Sequence, residues 1–230
     1  MKPYIFLTEN TLNYTQDENT LEINVKELAV SVPYTQIVYF TDRYGNIVNR
    51  TIDTLIIKDT NIKDITIETL SGGTYTTFLT LTGNTQSTVI LKSANPETTS
   101  SIRITIPDSA NNPENVVAKM GVYGFLCNLC ALTDSSYKID ANEGSYRVVS
   151  GSYIHWADYK KWVAKVKMEN VTKEQFDLLT AQADLGEMTV IPYEDLQADE
   201  IYECAVKREY SYELNRKTEL FSLELEFNEL

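Results

Sequence analysis

The nearest approach to a chemical motif in this sequence is the pair Cys127 and Cys130, which has the spacing of redox and zinc motifs. A redox pair normally opens a helix, and a zinc site needs a second pair of ligands, whereas the other cysteine and histidine are Cys204 and His155. If 125–132 continues a strand, positions three apart point to opposite faces. We therefore interpret these cysteines as reduced, small buried residues and expect no metal and no cofactor.

Other candidates for catalysis are weaker. His155, beside Trp156, is the single histidine, and no serine or cysteine has a nucleophile context such as Gly-x-Ser-x-Gly. The segment 140–144 resembles the start of a calcium loop but lacks the later acidic ligands, so a turn is favoured. A solvated loop is likewise favoured for the acidic residues Glu194, Asp195, Asp199 and Glu200. We expect the protein not to be an enzyme.

Composition and charge narrow the class of partner. The 230 residues include 33 acidic and 20 basic side chains, which gives a formal net charge of -13. Such a surface repels phosphates, so sequence-specific nucleic-acid binding is not expected. Residues 1–7 do not resemble a signal-peptide core, and no apolar run has the roughly 18 residues of a membrane span. We expect synthesis in a bacterial cytoplasm and no membrane span.

The first part of the chain has the pattern of a β-sandwich. Residues 1–20 predict an N-terminal strand and an extended arm, and 21–132 predicts short strands separated by turn signals. Leu55, Ile56 and Ile57 are apolar in succession, whereas Ile102, Ile104 and Ile106 alternate with other residues, and both patterns suit two packed sheets. The turn signals are Tyr44-Gly45-Asn46, Gly72-Gly73, Gly83-Asn84 and Asn95-Pro96.

The order of these strands is similar to that of a known class of sandwich. The runs TLIIKDTNIKDITIE, SIRITI and VAKMGVYGFL resemble a discoidin-like or carbohydrate-binding jelly roll. The resemblance covers about half the chain and implies a docking module or a sugar binder, without assigning ligand residues. It provides one of the two functions that we consider, a carbohydrate-binding β-sandwich protein of a cell or virion surface.

Residues 133–230 predict a second domain that begins with a turn-rich connection over 134–144. Trp162, Ala164, Val166 and Met168 alternate with lysines, after an expected bend at 157–160. Thr172 and Gln175 have the spacing of a capping box and Gly186 is a helix stop, which predicts a helix over about 172–184. The final strand alternates Phe221, Leu223, Leu225 and Phe227 with polar residues.

This order of elements resembles the C-terminal barrel of phage distal tail and tail-completion proteins. The resemblance is in GSYRVVSGSYIHWADYKKWVAKVKMENVTKEQFDLL and MTVIPYEDLQADEIYECAVKREYSYELNRKTELFSLELEFNEL, and it covers about 85 residues. It implies a small β-barrel with one helix that packs into a ring. The predicted fold is therefore mainly β, a jelly-roll-like sandwich followed by this barrel.

The main function that we infer is a non-enzymatic structural subunit of a phage tail or baseplate, located in the virion. Its partners would be further copies, as a trimer or hexamer, and other tail proteins, with a glycan as a possible ligand of the sandwich. Tyrosine is common both at interfaces and on sugar-binding surfaces, so the 15 tyrosines leave both functions open. Residues expected at subunit contacts are Trp156, Trp162, Lys165, Lys167, Lys207, Arg208, Glu224 and Glu226.

Overall fold

The structure is a computed structural model that describes residues 4–8, 11–12, 26–42, 44–129, 135–147, 153–192, 201–207 and 209–230, with the backbone alone at 26–27, 142–147 and 153–158. Its first ten strands are β1 (Tyr4–Leu7), β2 (Lys26–Ser31), β3 (Tyr34–Tyr39), β4 (Arg50–Lys58), β5 (Ile65–Ser71), β6 (Thr74–Leu81), β7 (Val89–Thr99), β8 (Ser101–Ile106), β9 (Asn115–Tyr123) and β10 (Phe125–Leu129). They are followed by β11 (Ser136–Arg147), β12 (Tyr153–Val171), α1 (Lys173–Leu185), β13 (Glu187–Ile191), β14 (Tyr202–Val206), β15 (Ser211–Asn215) and β16 (Leu220–Glu229).

The chain divides into two compact units. The sandwich unit is built by Leu7–Phe125, and the C-terminal unit by the described parts of Met1–Phe6, Leu126–Leu196 and Glu200–Leu230. The N-terminal strand β1 therefore pairs within the C-terminal unit, between β10 and β13.

The sandwich unit consists of two antiparallel four-stranded sheets, in the orders β2-β9-β4-β7 and β3-β8-β5-β6. Its core is mainly aliphatic and includes Phe40, and the predicted burial of Leu55, Ile56 and Ile57 is confirmed, since each is at most 2% exposed. The alternation of β8 is also confirmed: Ile102, Ile104 and Ile106 are fully buried while the residues between them are not. These two patterns correctly indicated a two-layer sandwich.

Of two predicted turns, one is confirmed and the other is wrong. Gly72 and Gly73 both have positive φ and join β5 to β6 in a two-residue hairpin, as such a pair predicts. Asn95-Pro96, predicted as a turn, lies inside β7. The register with β4 shifts between Ile52 and Thr54 at this point, so the proline is accommodated in a bulge, where its missing N–H disrupts no ladder bond.

The C-terminal unit is one sheet in the order β10-β1-β13-β14-β16-β12-β11, with β15 also paired to β16. The described pairings form an open path and do not close it into a barrel. The predicted turn-rich connection over 134–144 is wrong in its main part, because Ser136–Arg147 is the strand β11, paired along its length with β12. The expected bend at 157–160 corresponds to a register shift at Asn142/Glu143, opposite Ala157 and Tyr159.

The predicted helix is confirmed as α1. Thr172 caps it, the Gln175 side chain completes the capping box, and Gly186 ends it in the left-handed conformation with φ 97°. Leu179 and Ala183 are buried in the core of the C-terminal unit, and Phe176 packs against that core. The mainly β class, with a sandwich and a helix in the second part, agrees with the prediction.

Candidate functional site

The outer face of the sheet β3-β8-β5-β6 presents rows of side chains that the strand register fixes, because directly opposite residues of an antiparallel pair share a face. From β3, Tyr39 lies opposite Ser101 and Ile37 lies opposite Arg103. Arg103 in turn lies opposite Glu68 of β5. A further row consists of threonines, which are Thr35 of β3, Thr105 of β8, Thr66 of β5 and Thr80 of β6.

This face is the solvent side of the sheet. The alternate residues of β8 and β5, such as Ile104 and Ile67, are buried in the core, so the rows point away from it. Tyr39 is 52% exposed and Ile37 is 42% exposed. Two apolar side chains therefore lie in solvent next to a row of charged and hydroxyl groups.

Arg103 is held in one orientation on this face. Its Nε and Nη2 donate to the two carboxylate oxygens of Glu68 at 2.5 and 2.6 Å, a bidentate geometry. The guanidinium carbon lies 4.8 Å from the ring centroid of Tyr75, and the Tyr75 hydroxyl is 3.0 Å from Ser101 Oγ. The hydrogen bond from Arg103 lowers the pKa of Glu68, and the same bond raises the pKa of Arg103. The pair is therefore ionised and fixed at neutral pH.

The loops at one end of the sandwich are joined by a second polar cluster, around Asp64. Its carboxylate accepts hydrogen bonds from Ser109 Oγ at 2.6 Å, from the Gly83 N–H at 2.8 Å and from Asn111 Nδ2 at 3.0 Å. These bonds, that from Ser109 first, lower the pKa of Asp64. Asn112 Oδ1 also accepts from the Asp64 N–H at 3.0 Å. The donors come from the β6–β7 and β8–β9 loops, so the cluster holds three loops together.

Five of the residues predicted at subunit contacts form a ladder of ion pairs within the C-terminal unit. The register places Lys165 opposite Glu226 and Lys167 opposite Glu224. Lys165 Nζ lies 2.7 Å from Glu224 and 3.8 Å from Glu226, and Lys167 Nζ lies 3.8 Å from Glu224. Lys207 Nζ lies 3.2 Å from Glu226. The glutamates of β16 thus pair with lysines of the same chain.

The other predicted contact residues are placed differently. Trp162 is 4% exposed and stacks on Tyr202, with ring centroids 4.5 Å apart, so it belongs to the core. The side chain of Trp156 and all of Arg208 lie outside the described residues. The predicted acidic loop at Glu194–Glu200 and the side chain of His155 also lie outside them.

Two of the three cysteines are described, and both are buried and free. Burial raises the pKa of Cys127 to about 12, and burial with the nearby carboxylates of Glu229 and Glu203 raises that of Cys204. Thiols of this kind are unreactive and pack as small hydrophobic groups. Cys130 lies outside the described residues. Among the described side chains, no group of three or more His, Cys, Asp or Glu is placed to hold a metal ion.

The exposed face around Tyr39 is not evident from the sequence pattern. In YTQIVY of β3, apolar residues fall on both parities, and Tyr34 and Val38 pack against the core while Ile37 and Tyr39 are exposed. Alternation alone therefore does not say which parity is buried. The available signal was the presence of large apolar residues on both faces of one short strand.

The chain is similar to some solved structures, but not to any family model or curated sequence. No protein-family model matches the chain, and no curated protein sequence matches it. Among solved structures, the family 32 carbohydrate-binding module from Streptococcus pneumoniae EndoD is 13% identical with a TM-score of 0.37, covering 51% of this chain and 94% of that module. The family 32 module from C. perfringens NanJ in complex with galactose is 15% identical with a TM-score of 0.34, covering 52% and 91%.

Both TM-scores are below 0.5, so no residue of either module is transferred to this chain. Within the described part of the chain, no helix has the length and apolar character needed to cross a membrane.

Proposed function

We propose that this chain is a non-catalytic carbohydrate-binding protein that binds neutral glycans on the outer face of β3, β8, β5 and β6. The observation that carries the proposal is the exposed Tyr39 ring next to Ile37 and the fixed Arg103–Glu68 pair. A pyranose ring has an apolar C–H face and a rim of hydroxyls. The tyrosine ring matches the first, because it supplies contact area with a polar end. The charged pair and the threonine hydroxyls match the second, because they offer both donors and acceptors.

The fixed orientation of Arg103 lowers the entropy that the protein loses when a glycan binds to this face. Binding a flexible oligosaccharide loses conformational entropy, and each side chain that is ordered on binding adds to the loss. Here Arg103 is already held by Glu68 and by the Tyr75 ring. The cost of ordering the protein is therefore small.

The charge of the chain favours neutral over anionic glycans. The formal net charge is -13, and the cation on this face is already paired with a carboxylate. A sialylated or sulfated glycan would be repelled by the overall field, whereas a neutral hexose chain would not.

Isothermal titration calorimetry with neutral oligosaccharides ending in galactose, glucose or mannose tests the proposal. Tyr39→Ala is expected to weaken binding of the preferred glycan by about 3- to 10-fold, the loss of one aromatic contact. Tyr39→Phe is expected to keep most of the affinity, because the ring remains.

The matched control is Tyr159→Ala, which removes a tyrosine of similar exposure from the C-terminal unit. It should bind as the unmodified chain does. Absence of binding to every glycan, or equal weakening by Tyr39→Ala and Tyr159→Ala, contradicts the proposal.

A second proposal is that the chain serves as a structural subunit of a phage tail or baseplate, located in the virion. It follows from the resemblance of the C-terminal region, and the observation that favours assembly is that β11 ends the strand order of the sheet among the described residues. Electron microscopy of the purified chain tests it. A trimeric or hexameric ring supports this role, and particles without ring symmetry at high concentration oppose it.

A further inference from the structure

The edge of the C-terminal sheet is formed by β11, which has β12 as its neighbour at the end of the strand order. No strand of the described residues pairs with the other side of β11, so its backbone N–H and C=O groups there can pair with a further strand. Proteins usually block such edges with charge, proline or cover, because a free edge pairs with other chains. Here the side chains next to this edge include two that are apolar and exposed, Tyr137 at 65% and Ile139 at 57%.

The part of β11 before the register shift with β12 is seven residues long, from Ser136 to Asn142. The extra residue at the shift is on β12, between Ala157 and Tyr159, and pairing continues beyond it from Glu143 to Arg147. The central residue of this segment is Ile139.

The segment is complementary to itself about this centre. Lys138 and Asp140 lie one residue to either side of Ile139. In an antiparallel pair of two copies with Ile139 opposite Ile139 of the partner subunit, Lys138 lies opposite Asp140 of the partner subunit. The reverse contact follows by symmetry, since a two-fold interface uses the same patch on both copies. Centring the pair on Lys138 or on Asp140 instead would set like charges against each other.

Within one chain the same two side chains make only a weak contact. Lys138 Nζ lies 3.4 Å from Asp140 Oδ1, and both side chains are more than half exposed. Exposed pairs of this kind contribute little. Exchanging this contact for a cross-strand pair between copies therefore loses little stability.

The apolar residues of the segment also gain from pairing. The register places Tyr137 opposite Ala164 and Ile139 opposite Trp162, so both lie on the face of the buried tryptophan. They border a cavity of about 210 Å³ that Tyr4, Trp162, Pro192 and Tyr202 also line. In the centred pair Tyr137 lies opposite Ala141 of the partner subunit, a large residue against a small one.

We propose that two copies of this chain associate by antiparallel pairing of β11, with the two-fold axis at Ile139. The partner is a second copy because the charge pattern of Lys138 and Asp140 is complementary to itself about that residue. This pairing is independent of the glycan site proposed for the sandwich.

Sedimentation velocity on charge-exchanged variants tests the pairing. The unmodified chain is expected to show a concentration-dependent monomer–dimer equilibrium. Lys138→Asp and Asp140→Lys are each expected to raise the dimer dissociation constant about tenfold or more, since each sets like charges opposite at two symmetric positions. The double variant Lys138→Asp with Asp140→Lys again places opposite charges at the facing positions. Its dimer dissociation constant is expected to be close to that of the unmodified chain.

The matched control exchanges charge at Lys173 and Asp177, an exposed pair of the same residue types on α1. Neither Lys173→Asp nor Asp177→Lys should change the dimer constant. A chain that stays monomeric at every concentration overturns the proposal. So do single variants that dimerise as the original does, or a double variant that is not restored.

A cross-linking measurement keeps the test independent of any loss of folding stability in the charge variants. Residues directly opposite in a sheet have Cβ atoms about 4.5–5.5 Å apart, within reach of a short bismaleimide. Ile139→Cys should therefore cross-link to itself, and Lys173→Cys, on the exposed helix surface, should not. Equal cross-linking of both variants, or none at Ile139→Cys, contradicts the two-fold register.

Discussion

At the scale of single residues, the candidate site depends on how Arg103 is held. A free arginine side chain has many rotamers, and ordering it on binding costs free energy. Here Glu68 accepts hydrogen bonds from Nε and Nη2, along one edge of the guanidinium group, and the Tyr75 ring lies against one face of it. The ring of Tyr39, two strand positions from Ile37, is the part of the face that remains open to a ligand.

The pKa of Glu68 provides a direct check of this arrangement. The hydrogen bond from Arg103 lowers it, so the pair contributes stability above the unfolded-state pKa of about 4.3 and loses it as pH falls through the lower folded-state value. We predict that Arg103→Gln raises the pKa of Glu68 toward its ordinary range, as measured by carboxyl carbon NMR titration.

Asp64 is the internal control for that titration. Its pKa is lowered by Ser109, Gly83 and Asn111, none of which contacts Arg103 in the described hydrogen bonds. The pKa of Asp64 should therefore be unchanged in Arg103→Gln. A Glu68 pKa that does not respond to the substitution would show that the ion pair does not form in solution.

The ladder of lysines and glutamates illustrates what sequence can and cannot give at this scale. The alternation of β16 correctly predicted that Glu224 and Glu226 lie on the face opposite the core, because period two is local. Their partners depend on which strands are neighbours and in what register, which is not local. Among the described residues, the partners of these two glutamates are Lys165, Lys167 and Lys207 of the same chain.

At the scale of elements, the bounds of α1 were predictable to within about one residue, because a helix cap depends on residues only a few positions apart in the sequence. Thr172 Oγ1 accepts from the Gln175 N–H at 3.2 Å, and Gln175 Oε1 accepts from the Thr172 N–H at 3.1 Å. Thr172→Ala is expected to destabilise the C-terminal unit by about 1 kcal/mol, the usual effect of losing an N-cap. Urea unfolding followed by circular dichroism measures this.

Thr172→Ser is the control for the cap, since it keeps the hydroxyl and should cost at most a few tenths of a kcal/mol. If the alanine and serine variants unfold at the same urea concentration, the hydroxyl does not stabilise the helix.

The strand β11 was missed because its composition is that of a turn. Asp140, Asn142, Glu143 and Gly144 are residues that strands usually lack, and local propensity therefore argued for a loop. The alternating Tyr137, Ile139 and Ala141 and the long apolar partner β12 outweigh that propensity. The strand β16 lies between β12 on one side and β14 and β15 on the other, whereas β11 ends the strand order of the described residues.

At the scale of the whole molecule, the described residues form two units with separate cores, one mainly aliphatic and one that includes Phe6, Trp162 and Phe227. The class of each was predictable, because strand alternation and turn spacing identify sheets without reference to distant contacts. The assignment of β1 to the C-terminal sheet was not, since pairing over more than a hundred residues leaves no local signal. The charge of -13 acts on both units and favours neutral ligands.

Methyl NMR shows whether a neutral glycan binds the outer face of β3, β8, β5 and β6. Ile37 and Ile90 are each 42% exposed, but Ile37 lies on this face and Ile90 lies in β7 of the other sheet. On titration of isoleucine- and threonine-labelled protein with the preferred oligosaccharide, we expect shifts at Ile37 and at Thr35, Thr66, Thr80 and Thr105, with Ile90 unchanged. Shifts confined to Ile90 or to residues of the C-terminal unit would contradict it.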